Sequence, residues 1–163
     1  VLPKAQVGLN NRLSWRGLEL GLLVTARLGG ICVSQTQAFM DSYGVSRKTA
    51  RLRDAGGVNV GGRLVPVEKY YTVVGGETPI WDEYIYKATN ARVKELYLSF
   101  TTDRLLRGAK VTLGVTARNL WMLYCKAPFD PESTPSTDIY YQGFDYFMQP
   151  SQRSLGFYVN IKL

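Results

Sequence analysis

The last ten residues of the chain alternate strictly between apolar side chains and polar or small ones. The apolar positions are Leu155, Phe157, Val159, Ile161 and Leu163, and the positions between them are Ser154, Gly156, Tyr158, Asn160 and Lys162. Successive side chains of a β-strand point to opposite faces, so this pattern predicts a strand with one apolar face. Such a face has to be covered by protein or by lipid, which limits the folds open to the chain.

Four earlier segments show the same alternation, within residues 4–15, 18–29, 95–100 and 109–118. The first two segments fix each other's register, because their apolar faces coincide only when odd-numbered residues pair with even-numbered ones. Trp15 opposite Leu18 meets this condition and leaves Arg16 and Gly17 as a two-residue turn. Gly17 favours such a turn because glycine adopts positive φ easily.

The connections between the five predicted strands alternate in length. We expect short connections at residues 16–17 and 101–108, and long ones at residues 30–87 and 124–149. Outer-membrane barrels have short periplasmic turns and long external loops. The apolar faces are also about as long as a strand that crosses a bilayer, ~9–11 residues. The opposite faces carry Lys, Arg and Glu, which suit a water-filled lumen.

The sequence therefore predicts an all-β fold, an antiparallel transmembrane β-barrel segment of about five strands with long, partly helical external loops. Five strands cannot close a barrel. We therefore expect residues 1–163 to be the C-terminal part of a larger barrel whose plug and N-terminal strands are absent. The alternative is a secreted, soluble β-sandwich that binds carbohydrate, since its strands alternate in the same way.

The first long connection carries signals for short helices and a hairpin. Ser34 followed by Gln37 predicts a capping box that opens a helix ending at Gly44. Ser46 is the predicted cap of a second helix over residues 47–55, closed by Gly56. Residues 58–65, with two central glycines, predict a small hairpin.

Composition excludes several classes of function. The chain has no His, so catalytic sites that use His as a base, and zinc sites built on His, are excluded within it. The net charge of +7 favours a solvated surface over nucleic-acid binding, since no recognition helix or zinc finger accompanies it. We expect neither an enzyme nor a cofactor. Cys32 and Cys125 are expected beyond the external ends of their strands, with a disulfide between them disfavoured.

Several stretches, in this order and spacing, resemble one known family. They are Pro3-Lys4, SQTQAFMDSYGVS (34–46), KYYTVVGG (69–76), YKATNARVKELYLSF (86–100), TARNLW (116–121), FDPE (129–132) and RSLGFYVNIKL (153–163). Together they resemble the C-terminal end of SusC/RagA-type TonB-dependent transporters of Bacteroidota. One departure is the last residue, Leu163, where the family usually ends in Phe.

The resemblance implies an outer-membrane barrel of about 22 strands around an N-terminal plug. It implies TonB-dependent active import of oligosaccharides, or of peptides, across the outer membrane. The implied partners are a SusD-like surface lipoprotein that acts as a lid, TonB through the absent N-terminal part, and outer-membrane lipid. No residue of this chain is assigned to energy coupling.

Two groups of residues are candidate functional sites. The closing strand fits a barrel-assembly signal, with an ordinary amphipathic strand as the alternative; its residues are Ser154, Gly156, Val159, Ile161 and Leu163. Aromatic residues of the external loops are candidate contacts for ligand or lid, with loop packing as the preferred alternative for any one of them: Trp81, Tyr84, Tyr140, Tyr141, Phe144 and Tyr146. Charges expected to face the lumen are predicted to pair with each other or with the plug: Arg12, Glu19, Arg27, Lys110, Arg118 and Lys162. The carboxylates of Asp130, Glu132 and Asp138 fit a turn around Pro131 better than a calcium site.

Overall fold

The structure is a computed structural model that describes residues 2–106, 108–133 and 138–162. It is mostly β-structure, with 51% strand and 19% helix, which confirms the all-β prediction; its sheets are not closed. In chain order the elements are β1 (Ala5–Trp15), β2 (Leu18–Leu28), β3 (Ile31–Ser34), α1 (Gln35–Ser42), α2 (Arg47–Asp54), β4 (Val58–Val60), β5 (Arg63–Val65), α3 (Val67–Val74), β6 (Ile85–Lys87), β7 (Asn90–Leu106), β8 (Ala109–Cys125), β9 (Phe144–Asp145) and β10 (Ser154–Lys162). Single 3₁₀ turns span Trp81–Tyr84 and Ile139–Tyr141.

The described residues form two compact units. The sheet unit comprises residues 2–30, 88–130 and 150–162, and the loop unit comprises residues 31–87 and 131–149, each within the described ranges. Each unit is treated below by itself.

Five strands build the sheet unit in the order β1-β2-β7-β8-β10, and every neighbouring pair is antiparallel. Trp15 pairs with Leu18, as the alternation predicts. The two turn residues, Arg16 and Gly17, have φ values of 44° and 84°. Positive φ at both central residues is what a tight hairpin turn requires. The predicted five strands and the register of the first hairpin are thus confirmed.

Cross-strand pairing sorts the side chains of the sheet unit into rows that run across all five strands. One apolar row consists of Leu13, Leu20, Leu98, Val115 and Phe157. The adjacent row on the opposite face consists of Arg12, Gly21, Tyr97, Thr116 and Gly156. Every member of the apolar row is exposed, from 37% at Leu20 to 85% at Phe157.

The connection predicted at residues 101–108 is wrong, because β7 continues to Leu106 and only residues 107–108 separate it from β8. Thr101 and Thr102 pair with Thr112 and Val111, and the hydroxyls of Thr101 and Thr112 are 2.9 Å apart. β-Branched Thr fits a strand well. Alternation alone missed these residues because neither face of the segment 101–104 is apolar.

A β-bulge at Lys94 changes which residues of β7 lie on the apolar face. Leu22 and Val24, two positions apart on β2, pair with Leu96 and Val93, three positions apart on β7. The extra residue in β7 returns Val93 to the apolar face, where uninterrupted alternation would have placed Lys94.

The two predicted helices of the loop unit form at the predicted caps. The side chain of Ser34 accepts a hydrogen bond from the backbone N–H of Gln37, and that of Ser46 accepts one from Thr49. The capping box itself is incomplete, because the Gln37 side chain donates to Asp41 at 2.8 Å. α2 ends one residue earlier than predicted, at Asp54.

The rest of the loop unit is built around α3 and two small sheets. β4 and β5 form the predicted hairpin, while β3 pairs with β6 and with β9 in a sheet that alternation did not predict. α3 was not predicted either; it supplies three residues of the buried cluster Ala38, Val67, Tyr71, Val74 and Tyr84. This cluster is the core of the loop unit.

Cys32 lies beyond the end of β2, as predicted, but within a further strand, whereas Cys125 lies in its strand rather than beyond it. Cys32 is buried inside β3, where its thiol donates to the carbonyl oxygen of Tyr86 at 3.6 Å. Cys125 is the last residue of β8, and its thiol lies 3.4 Å from the carbonyl oxygen of Ala127. Both side chains are therefore thiols that bond to nearby backbone.

Candidate functional site

An ion-pair network lies on the polar face of the sheet unit. Arg12 on β1 and Glu19 on β2 are 2.7 Å apart, and the hydroxyl of Tyr97 on β7 donates to Glu19 at 2.9 Å. Arg118 on β8 donates to Glu95 on β7 at 3.2 Å. Arg12, Glu19 and Arg118 were among the predicted lumen charges, whereas Glu95 was not. These two ion pairs each join neighbouring strands of the polar face, β1 with β2 and β7 with β8.

Two tyrosines of this face lie directly over glycines of neighbouring strands. Tyr97 is the partner of Gly21, and Tyr158 is the partner of Gly114. A Cβ atom built on Gly21 would overlap the ring of Tyr97, and one on Gly114 would overlap the ring of Tyr158. The glycines therefore provide the space that holds each ring flat against the sheet.

A buried ion pair ties the connection after β8 to the sheet unit. Nη2 of Arg92 on β7 lies 2.5 Å from Oδ1 of Asp130, and Nη1 lies 3.4 Å from Oδ2. The backbone N–H of Ser151 donates to Asp130 at 3.1 Å. Asp130 was predicted to belong to a turn, but its buried partner was not found from the sequence, since Arg92 lies 38 residues away.

The candidate assembly-signal residues occupy the edge strand β10. Ser154 is its first residue, and Gly156 lies on the polar face opposite Thr116. Val159 and Ile161 lie exposed on the apolar face. Leu163 lies outside the described residues. The signal thus falls on a strand with one free edge among the described strands.

The structure brings some of the candidate contact residues of the loop unit together. The rings of Trp81 and Phe144 pack edge to face with centroids 5.6 Å apart. Tyr140 and Tyr141 lie in a 3₁₀ turn and are exposed, Tyr140 by 88%. Tyr146 is also exposed and packs on Phe147 at 5.2 Å. These side chains remain candidate contacts.

Tyr84 is the exception, because it is fully buried at 0% exposure in the core of the loop unit. Its hydroxyl has no hydrogen-bond partner within the described part of the chain. Burial, reinforced by the Asp41 carboxylate, raises the pKa of Tyr84 far above its ordinary value of 10.0. Its hydroxyl also closes off the space that a side chain at Gly75 would need. The prediction that Tyr84 contacts ligand or lid is therefore wrong: it is a core residue.

A ladder of four aromatic rings runs along the loop unit, and only one of its members was predicted. Tyr146 packs on Phe147, Phe147 stacks on Phe39 at 5.8 Å, and Phe39 stacks on Tyr43 at 6.5 Å. Phe39 and Tyr43 lie four residues apart at the end of α1, the spacing that brings side chains onto one helix face. That spacing was the available sequence signal.

Lys48 on α2 joins a polar cluster at the edge of the core. Its Nζ atom lies 4.0 Å from Asp41, 3.9 Å from Glu83 and 5.3 Å from the centre of the Tyr71 ring. Burial acts to lower the pKa of Lys48, but the Tyr71 hydroxyl and the two carboxylates outweigh it and raise that pKa overall. Lys48 therefore stays charged and neutralises the buried Asp41 carboxylate.

Within the described ranges, no three His, Cys, Asp or Glu side chains lie close enough together to hold a metal ion. Among the same residues, every helix is too short or too polar to cross a membrane. No protein-family model matches the chain, and no curated protein shows significant similarity to it.

Proposed function

We propose that this chain is part of the wall of an outer-membrane β-barrel transporter. The observation that carries the proposal is the division of the sheet unit into two faces. One face presents exposed rows of large apolar side chains, and the other presents ion pairs and tyrosines. Exposed apolar patches of this extent mark contact surfaces, and a lipid bilayer is the contact that a continuous sheet face fits.

The strand lengths support the same proposal. β1 and β2 have 11 residues each, and β7 and β8 have 17 each. Since a tilted strand crosses a bilayer with about 9–11 residues, the shorter pair is long enough to span it and the longer pair would extend beyond it. Two-residue connections join the strands at one end, and long connections join them at the other. Outer-membrane barrels have the same arrangement, with short periplasmic turns and long external loops.

In a soluble β-sandwich, by contrast, the apolar face of the sheet is buried. The two sheets of a sandwich pack with their apolar faces together in a core about 10 Å thick. Phe157 and Leu155, at 85% and 77% exposure, would be among the most buried residues of such a core. Their exposure favours the barrel.

The cargo and the partners follow from the family resemblance. We propose active import of an oligosaccharide, or alternatively a peptide, with TonB as the energy-coupling partner and a SusD-like lipoprotein as the lid. Exposed aromatic rings of the loop unit support a carbohydrate cargo, because sugar C–H groups pack well on ring faces. The network on the polar face would line the lumen beside the plug.

The experiment that tests the proposal is uptake of a fluorescently labelled oligosaccharide by cells that express the intact protein. We expect uptake that needs the protein, is lost when TonB is deleted, and stops when the proton gradient is collapsed. A small solute that enters through porins serves as the control. Uptake that persists without TonB, or recovery of the protein in a soluble fraction, would contradict the proposal.

A further inference from the structure

A cleft of about 380 Å³ opens in the loop unit between the end of α1, α2 and the start of α3. Its size is within the range of small-molecule sites, about 300–1,000 Å³. Tyr43, Gly44, Arg53, Glu68 and Thr72 line it, together with three further residues: Asp41, Ser42 and Val67. None of the candidate contact residues predicted from the sequence belongs to this cleft.

One wall of the cleft includes the aromatic ring of Tyr43. The Tyr43 side chain is 78% exposed, yet its backbone N–H bonds to Phe39 at 3.0 Å and its ring stacks on that of Phe39 with an interplanar angle of 21°. Nη1 of Arg53 donates to the carbonyl oxygen of Gly44 at 2.7 Å and ties α2 to the same turn. The Tyr43 ring thus packs on Phe39 and keeps most of its surface accessible.

The polar groups of the cleft retain capacity for hydrogen bonds. A guanidinium has five N–H donors, so Arg53 can bond to Gly44 and still donate to a ligand. The Thr72 hydroxyl donates to the carbonyl oxygen of Glu68 at 2.7 Å, which leaves its lone pairs to accept. Glu68 itself is exposed. A cleft lined by both a guanidinium and a carboxylate suits a ligand with several hydroxyl groups, each of which both donates and accepts.

The charged side chains that line the cleft indicate which class of ligand it can bind. Lys48 neutralises the buried Asp41 carboxylate, so the remaining charges of the lining are the Glu68 carboxylate and the Arg53 guanidinium. These two charges balance, and the lining therefore does not favour an anionic ligand such as a phosphate or a uronate. A neutral ligand rich in hydroxyl groups, with one apolar face for Tyr43, matches the aromatic ring, the Arg53 donors and the Glu68 carboxylate.

We propose that this cleft is a subsite for a neutral sugar unit of an incoming oligosaccharide. Tyr43 supplies the stacking surface, and Arg53 and Glu68 supply hydrogen bonds; the assignment of an oligosaccharide rests on the proposed function. The aromatic ladder continues from Tyr43 through Phe39 to Phe147 and Tyr146, with successive centroids 5.2–6.5 Å apart. Further sugar units would follow the ladder, so a longer chain binds more tightly than a single sugar.

Calorimetric titration of the purified intact protein in detergent tests the subsite. The probes are four neutral hexasaccharides (malto-, cello-, xylo- and mannohexaose), a hexagalacturonate and a mixed hexapeptide. We expect at least one neutral hexasaccharide to bind, and Tyr43→Ala and Glu68→Gln each to weaken it by about tenfold or more. Tyr43→Phe keeps the ring and is expected to retain the affinity. Leu64→Ala and Glu77→Gln, exposed residues of the same unit outside the cleft, are the matched controls and should change affinity less than twofold.

Three results would overturn the subsite: no neutral hexasaccharide binds, the peptide or the uronate binds more tightly, or Tyr43→Ala and Glu68→Gln leave affinity unchanged. The titration needs neither TonB nor an energised membrane. Binding that responds to the variants without TonB-dependent uptake would therefore contradict the transport proposal alone. TonB-dependent uptake with unaltered binding by the variants would contradict the subsite alone.

Discussion

Arg92 and Asp130 form an ion pair whose side chains are only 3% and 7% exposed. Asp130 follows β8 by five residues, and Ser151, shortly before β10, contacts both members of the pair. The pair therefore fastens both ends of the long connection 126–153 to β7. Asn119 adds a second tie, because its side-chain nitrogen donates to the carbonyl oxygen of Gln152 at 3.1 Å.

Removal of one member of this pair is predicted to be strongly destabilising. Asp130→Asn leaves the buried Arg92 guanidinium without its carboxylate, and breaking a buried ion pair costs about 3–5 kcal/mol. Ser151→Ala removes only a 3.4 Å contact of the Ser151 hydroxyl and keeps the backbone bond to Asp130, so we expect a loss below about 1 kcal/mol. The temperature at which the folded band of the intact protein disappears on a semi-native gel measures both variants. Equal temperatures for the two would contradict the predicted role of the pair.

The tyrosines that cover glycines predict a difference between two alanine substitutions. Gly21→Ala forces the Tyr97 ring away from the sheet and disturbs its bond to Glu19, at a cost of about 1–3 kcal/mol for overpacking. Gly8 lies in β1, on the same polar face of the sheet as Gly21. A side chain there meets no atom within 4 Å, so Gly8→Ala is expected to be neutral or slightly stabilising. Denaturant unfolding of the two variants in detergent gives the comparison. A Gly21→Ala variant as stable as Gly8→Ala would show that the ring is not held there.

The loop unit is predicted to lose stability at alkaline pH. The folded pKa of Tyr84 is raised by burial, while in the unfolded chain it titrates near 10.0. Its contribution is therefore fully present below pH 10 and is lost as pH rises toward the folded value. Tyr84→Phe removes a buried hydroxyl without a partner among the described residues and should stabilise the unit by about 1 kcal/mol. It should also reduce the alkaline loss.

Hydrogen–deuterium exchange of the α1 and α3 amides between pH 8 and 11, corrected for the intrinsic exchange rate, measures this effect. Tyr71→Phe is the comparison: burial also raises the pKa of Tyr71, so this variant should reduce the alkaline loss too, but it removes a hydroxyl that interacts with Lys48 and should weaken the unit at neutral pH. An alkaline loss as large in Tyr84→Phe as in the parent protein would refute the assignment to Tyr84.

Alternation predicted the sheet unit well because side chains on a β-strand repeat every two residues. The pair Trp15–Leu18 was predicted from it, and alternation also places Val115 and Phe157 on the apolar face, although it did not predict that they pair. The bulge at Lys94 was not predicted, since an inserted residue is defined by the partner strand and leaves no trace in one segment read alone. The end of β7 was missed because Thr-Thr-Asp-Arg alternates in neither polarity nor size.

The loop unit was predicted less completely because its contacts join distant residues. Ser34 and Ser46 cap helices by bonds to residues three positions later, which a local pattern can predict. By contrast, Ser34 also donates to Asp145, which lies 111 residues away. Tyr84 was a candidate contact because it is an aromatic residue of a predicted external loop, but its burial is decided by the distant Ala38 and Tyr71.

Adjacent positions on β10 predict opposite outcomes of the same substitution. Val159→Arg places a charge on the apolar face, where a lipid-facing Arg near the midplane costs roughly 2–4 kcal/mol in such barrels. Asn160→Arg places the same charge on the polar face, opposite Thr112. We expect the first variant to fail to assemble and the second to reach the surface at nearly the parental level. Surface labelling of cells quantifies both, and similar levels would count against a lipid-facing role for Val159.

The most direct test of the lipid-facing surface is a spin-label scan of β10 in the intact protein reconstituted in bilayers, with Cys32 and Cys125 replaced. Labels at residues 155, 157, 159 and 161 are predicted to collide with oxygen, which is concentrated in hydrocarbon. Labels at 156, 158, 160 and 162 are predicted to collide with a water-soluble nickel complex. Accessibility to oxygen that alternates with a period of two would support the account; odd-numbered labels that neither reagent reaches would contradict it.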